Sequence, residues 1–253
     1  MSEHADAAPH FRFKIVPILV TIFLGFGLPV LGAELLDVLR HASHLVPAQF
    51  GPVLPWLYAL HLMQMLLALV VIAAMKWLVP ADYGLHMPRD KSYVRPAILW
   101  GLLFGVVMTL VDYGPQLLAH AAPKLDYRLS AGNVIGWLGF KGVVVGPTEE
   151  IPFRALLVTY LAATMPGRLR LYRYEMNGAG IVVAAIFALN HLSGFWTEQF
   201  PIALGQLVHA FALGVLYAYW LEKSKSVLAP IVGHNVGDLT EYVLLFLMVA
   251  FWR

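Results

Sequence analysis

An all-α, polytopic bundle of membrane-spanning helices is the fold this sequence predicts, and three observations predict it. Hydrophobic residues make up 60% of the 253-residue chain and charged residues only 13%, about half the charge a soluble globular protein carries. So few charges cannot cover a water-facing surface, and so much apolar surface excludes disorder. Mean hydropathy is +0.72. The apolar residues are gathered into long stretches, most of them near the roughly 20 residues that cross a ~30 Å hydrocarbon core. A net charge of +2 without a Lys/Arg run leaves nothing for nucleic acid to bind. The absence of cysteine removes disulfides, thiolate metal sites and a cysteine nucleophile together.

The elements follow in order. Residues 1–14 are polar and precede an apolar run from Ile15 to Ala33. The acidic leader and the length of that run fit a retained helix better than the 7–15-residue core of a signal peptide. Further stretches run about Val53–Val79, Pro96–Leu118, Gly132–Thr164, Gly178–Trp196, Pro201–Leu221 and Val227–Trp252. The long one, Gly132–Thr164, would measure about 50 Å as one straight helix, and it contains Lys141, Pro147, Glu149, Glu150 and Pro152. It reads as two pieces, an interfacial or re-entrant segment to Gly146 and a spanning helix from Thr148 to Met165. About seven crossings result. Arg12/Lys14, Lys76/Arg89/Lys91/Arg95, Arg168/Arg170/Arg173 and Lys223/Lys225 fall on one side, which places the N-terminus in the cytoplasm. One integral-membrane domain over 1–253 is expected, with motif-free spans in 1–130 and the chemistry in 131–253.

Ionisable side chains inside a spanning segment are costly and ask for a function. Three groups stand out. In Glu149-Glu150-Ile151-Pro152-Phe153-Arg154, Glu150 and Arg154 share a helix face at i,i+4, so Arg154 can neutralise Glu150 and leave Glu149 to face a cavity. Thr148 is placed to cap the helix there, and its dipole favours a carboxylate in the first turn. The bland reading is a structural ion-pair cluster. Phe187 and His191 share a face deep in an apolar helix, where a lone histidine can also be a satisfied core residue. His234 and Asp238 share another face, between Gly233 and Gly237, which permit close helix approach; a packing motif is the alternative. At 1.5 Å per residue, Glu149 lies about 24 Å, His191 about 21 Å and His234 about 12 Å from the cytoplasmic helix ends. Tilt can bring them into one intramembrane pocket. Asp112, Lys141, His61 and His209 take interfacial, snorkelling or core-satisfied readings.

Glu149-Glu150-x-x-x-Arg154, Phe187-x-x-x-His191 and His234-x-x-x-Asp238, in that order on successive helices, resemble the CAAX protease and bacteriocin-processing family of intramembrane endopeptidases, which includes the Ras-converting CAAX endopeptidase. The match spans about residues 130–245. The resemblance implies peptide-bond hydrolysis within the bilayer. Glu149 would be the general base and His191 would hold or polarise the water. His234 and Asp238 would stabilise the oxyanion, with Glu150, Arg154, Phe187 and Asn235 in support. The last motif position is usually Asn in the family and is Asp238 here. An ionised carboxylate accepts hydrogen bonds and repels an oxyanion, so Asp238 is protonated or orients His234, or Asn235 is the donor.

A metal is the competing account: Glu149, His191 and His234 are an acceptable zinc set. No His-Glu-x-x-His helix is present, and the metal-free glutamate mechanism, without a cofactor, is favoured. Two other classes stay open. An ion-coupled transporter would show paired broken helices, and a non-catalytic membrane partner would keep the pocket for packing. The expected partners are the lipid bilayer and a membrane-anchored or membrane-embedded peptide substrate: a prenylated CAAX tail, a bacteriocin leader or a C-terminal sorting tag.

Overall fold

Uninterrupted apolar runs have no competing use for their backbone hydrogen bonds in lipid, so they become helices. In a computed structural model that describes residues 13–43, 53–89, 91–171 and 174–252, their ends fall close to those expected. Helices α1 (Ile15–Ser43), α2 (Val53–Leu78) and α3 (Val94–Leu118) are followed by a helical run from Ala131 to Thr164. Then come α7 (Ala179–Leu189), the short α8 (Gly194–Thr197), α9 (Phe200–Ser224) and α10 (Leu228–Phe251). The acidic leader, with Arg12, and the connection containing His44 lie outside the described residues.

Among the described residues, five helical stretches are long and apolar enough to cross a membrane: Ile15–Leu39, Val53–Leu78, Val94–Leu118, Ala179–Thr197 and Phe200–Ser224. The expectation was about seven. The two that fall short by composition, the 131–164 run and α10, carry the polar residues of the candidate site.

The 131–164 run corrects the two-piece reading, because it does not break. Its parts are α4 (Ala131–Gly139), a π-helical turn (Phe140–Val144), α5 (Val145–Glu150), a π-helical stretch (Ile151–Val158) and α6 (Thr159–Thr164). A π turn holds one residue more than an α turn and relocates the i−4 bonds. Pro147 and Pro152, which cannot donate those bonds, are thereby absorbed without ending the helix. Thr148 is consequently no N-cap. Its hydroxyl sits mid-helix and donates back to the carbonyls of Val144 at 2.8 Å and Val145 at 3.0 Å.

Small residues set the packing around this run. On α3, a Cβ at Gly101 would stand 2.7 Å from the Gly233 carbonyl, and one at Gly105 would stand 2.5 Å from the Gly237 carbonyl. Two Gly-x-x-x-Gly faces therefore interlock, the close-approach arrangement of membrane helices, and α3 fixes the helix that carries His234 and Asp238. On the other side α7 meets α9, with Ala184 against Gly214. The main core lies between these pairs, around Phe153, Leu156, Leu157, Leu161, Ile186 and Leu221.

The Arg168/Arg170/Arg173 segment adds an element the periodicity did not suggest. Strands β1 (Arg168–Leu171) and β2 (Tyr174–Asn177) form an antiparallel hairpin with Arg168 opposite Asn177. Glu222 of α9 ties it down: one oxygen accepts from Arg168 at 2.6 Å and the other from the Asn177 amide at 2.7 Å. Arg173 lies outside the described residues.

Candidate active site

Two adjacent carboxylates on α5 face different surroundings, because neighbours on a helix point about 100° apart. Glu150 is fully buried, with its Oε2 3.0 Å from Arg154 Nε. The N–H is not aimed well enough for a hydrogen bond, so the contact is an ion pair without one. Oε1 of Glu150 accepts from His234 Nδ1 at 2.8 Å. The Arg154 guanidinium lies over the Phe187 ring at 4.3 Å and the Tyr217 ring at 5.5 Å. Phe187 thus serves as a platform, with Phe153 packed against it at 4.9 Å and His191 at 5.0 Å.

Glu149 has no Lys or Arg partner among the described residues. Its carboxylate stands between two imidazoles, 3.9 Å from His61 Nδ1 and 3.7 Å from His234 Nε2, and 19% of its side chain is exposed. These separations exceed a hydrogen bond, so neither ring is hydrogen-bonded to the Glu149 carboxylate. The loop after α7 brings in His191. That helix ends at Leu189, two residues before His191 and short of the expected end at Trp196. A helix end leaves carbonyls without amide partners; here Asn190 Nδ2 donates to the Ile186 carbonyl at 2.9 Å and His191 Nδ1 to the Phe187 carbonyl at 3.0 Å. His191 is therefore a turn residue whose Nδ1 is committed, leaving Nε2 as the ring's outward nitrogen.

His234, on α10, bridges the two carboxylates. Asp238, one turn on, has its Oδ1 3.9 Å from His234 Nε2, and its Oδ2 accepts from Lys141 Nζ at 3.0 Å. Asn235 does not point a donor into the pocket. Its Oδ1 accepts from the Gly146 amide at 2.7 Å and its Nδ2 donates to the Val143 carbonyl at 3.4 Å, the carbonyl that Pro147 leaves without a helical partner. Gly146 is what permits this, because a Cβ there would meet Asn235 Oδ1 at 2.4 Å.

Two residues assigned only bland readings belong to the site. His61 of α2 donates from Nδ1 to Thr148 Oγ at 3.0 Å and stands edge-on to Phe140 at 5.0 Å. Lys141 sits in the first π turn with its ammonium over Tyr242 at 5.1 Å. The signal for both was an ionisable residue inside an apolar stretch; neither has a motif partner nearby in sequence. Of the remaining two, His209 packs edge-on against Phe104 at 5.2 Å, and Asp112 accepts from Gln206 at 3.2 Å on the wall of a cavity of about 1720 Å³. That cavity opens between the ends of α2 and α3 and the 119–130 connection, and reaches Tyr58, Trp137 and Tyr242, whose rings pack on Phe140 and Lys141.

Among the described residues no group of three His, Asp or Glu side chains is placed to hold a metal ion. In the candidate set of Glu149, His191 and His234, each histidine commits Nδ1, His234 to Glu150 and His191 to the Phe187 carbonyl, and keeps Nε2 uncommitted.

Compared with known families, residues 131–240 match the model described as Rce1-like, type II CAAX prenyl endopeptidase. The matched region runs from the start of α4 into α10 and contains all three motifs. No curated protein and no solved structure matches the chain.

Proposed function

From the premise that residues 131–240 belong to the CAAX protease and bacteriocin-processing family of intramembrane endopeptidases, we propose that this chain hydrolyses a peptide bond near the prenylated C-terminus of a membrane-anchored substrate. Glu149 is the general base. The observation that carries the reading is the distribution of charge: Glu150 has Arg154 and Asp238 has Lys141, whereas Glu149 faces imidazoles across gaps of 3.7 and 3.9 Å. A partly exposed carboxylate with no lysine or arginine against it among the described residues is available to take a proton.

Water sits between Glu149 and His191 Nε2. As its oxygen bonds to the scissile carbonyl carbon, Glu149 takes one proton and the π pair moves onto the carbonyl oxygen. The tetrahedral species then re-forms C=O, the C–N bond breaks, and the proton on Glu149 passes to the departing nitrogen. Carboxylic acid and amine result, and Glu149 is regenerated. Glu150, held by Arg154, fixes His234. The charge asymmetry of the connections supports a cytoplasmic N-terminus.

The test uses the full chain in lipid nanodiscs and an internally quenched, farnesylated CAAX peptide. Glu149→Gln is expected to reduce kcat by at least about 10³-fold and His191→Ala by about 10²-fold, with no effect of a strong chelator. Wild-type turnover by Glu149→Gln sinks the proposal. Activity removed by chelator and restored by zinc replaces the glutamate base with a metal-bound water.

A further inference from the structure

Hydrolysis as proposed above creates a negative charge on the carbonyl oxygen, and the open side of the pocket holds few groups able to receive it. Asp238 can only accept. The Asn235 amide is spent on Gly146 and Val143, the Thr148 hydroxyl on Val144 and Val145, and the Tyr58 hydroxyl on the Gly136 carbonyl at 2.8 Å. His234 and His191 each commit Nδ1 elsewhere. The Tyr217 hydroxyl has no partner, but that residue is 1% exposed and sealed in the packed core.

Lys141 remains. An ammonium has three N–H donors, and Asp238 takes one of them. The side chain is 22% exposed and its partner 21%, and Asp238 Oδ1 lies 3.9 Å from His234 Nε2, itself 3.7 Å from Glu149, so the pair adjoins the proposed base. Helix geometry brings it to the correct side. In an unbroken α-helix eight residues leave Lys141 and Glu149 about 80° apart. One extra residue in the intervening π turn, which the Val145 amide closes onto the Phe140 carbonyl, narrows that to about 20°. Both charges act on His61.

We infer that Lys141 is a catalytic residue of this site: resting on the hydrolytic reading, its ammonium hydrogen-bonds the oxyanion, and Asp238 is the positioning residue that holds it there. During attack the π pair arriving on oxygen meets a spare Lys141 N–H. No proton is transferred, and the bond relaxes when C=O re-forms.

Four variants separate this role from a structural one: Lys141→Met, Lys141→Arg, Asp238→Asn and the double variant Lys141→Met/Asp238→Asn. Each is assayed for peptide turnover, thermal midpoint in detergent, and binding of a farnesylated phosphinate peptide, whose tetrahedral anion mimics the oxyanion. Lys141→Met should lower kcat by about 10²–10³-fold, the usual cost of one oxyanion donor, with KM nearly unchanged, while Lys141→Arg retains part of the activity. The double variant removes both charges together, so its thermal midpoint recovers while kcat stays low. Phosphinate binding should weaken by the same factor as kcat, with binding of the uncleaved peptide to the Glu149→Gln protein unaffected by adding Lys141→Met. If the double variant regains wild-type kcat, or phosphinate and peptide binding fall together, Lys141 is structural and the inference is wrong. If Glu149→Gln cleaves normally, the assignment of Glu149 as base fails instead, and phosphinate binding still judges Lys141.

Discussion

The site has a packed corner and an open corner, which share the 131–164 run and α10 but draw on α7 and α9 in one and on α2 and the turn after α7 in the other. In the packed corner Glu150 and Arg154 are 0% and 1% exposed, wrapped by Phe187 and Tyr217. In the open corner Glu149, Lys141 and Asp238 are about one-fifth exposed beside His61 and His191. Two glutamates adjacent in sequence are thus assigned to architecture and to chemistry by what stands opposite each. Arg154 and the helix spacing select Glu150 for burial. Glu149, turned by 100°, meets only side chains that leave a gap.

The packed corner should break hardest. Arg154→Met leaves the Glu150 carboxylate buried against His234 alone, and an uncompensated buried charge costs about 3–5 kcal/mol. Little folded protein should survive in detergent, as read by size-exclusion recovery and thermal midpoint. Glu149→Gln, one residue away from Arg154's partner, should stay within about 1 kcal/mol of wild type, since it deletes a charge that had no cation against it. Equal losses in the two variants would erase the distinction between the corners.

The open corner sharpens the comparison through His61. His61→Ala should lower peptide turnover by about 10–10²-fold and leave the thermal midpoint close to wild type, because its ring packs only on Phe140 and bonds a threonine hydroxyl that already serves the backbone. A variant that unfolds while any surviving fraction turns over normally would move His61 to the packed corner.

These two corners also mark how far the sequence could be read. Helix limits were legible to within a few residues at α2, α3 and α9, because hydropathy alone decides them in lipid. The contact of Arg154 with Glu150 follows from i,i+4 spacing. The pairing of Lys141 with Asp238 does not: it joins residues 97 apart, and only the docking of α10 against the first π turn creates it. That docking depends on Gly101 and Gly105 of α3, whose four-residue spacing was visible but lay in a region without polar motifs. Pro147 and Pro152 pointed to a broken helix because local rules count lost hydrogen bonds. They do not count Asn235, which arrives from another helix to receive the freed carbonyl. The departure at Asp238 looked like a defect in an oxyanion site when considered without its partner; beside Lys141 it is half of an ion pair.

A solvent-exposed ion pair extends the comparison to a weaker member. Asp82 and His86, at 40% and 29% side-chain exposure, close the 79–93 connection, which the turn between α9 and α10 anchors through Ser226 Oγ donating to the His86 carbonyl and the Val227 amide donating to the Gly84 carbonyl at 3.0 Å. Burial raises the Asp82 carboxyl, but the bonds from His86 and the Gly84 amide and the Arg89 charge outweigh it and hold it below its ordinary 3.8. The Met87 carbonyl first, then Asp82, hold His86 above its ordinary 6.5. A lowered acid stabilises above its unfolded pKa and loses that contribution as pH falls through its folded one; a raised histidine stabilises below its unfolded pKa and loses it as pH rises through its folded one. The pair therefore contributes fully between pH 3.8 and 6.5 and fades on both sides. Amide protection of residues 83–89, corrected for intrinsic exchange, should be higher at pH 5.5 than at pH 8.5 by a small factor that His86→Ala abolishes. The packed corner, where no water competes for the charges, should show no such step over the same range. If protection of the loop and of α5 respond to pH alike, exposure is not what separates these ion pairs.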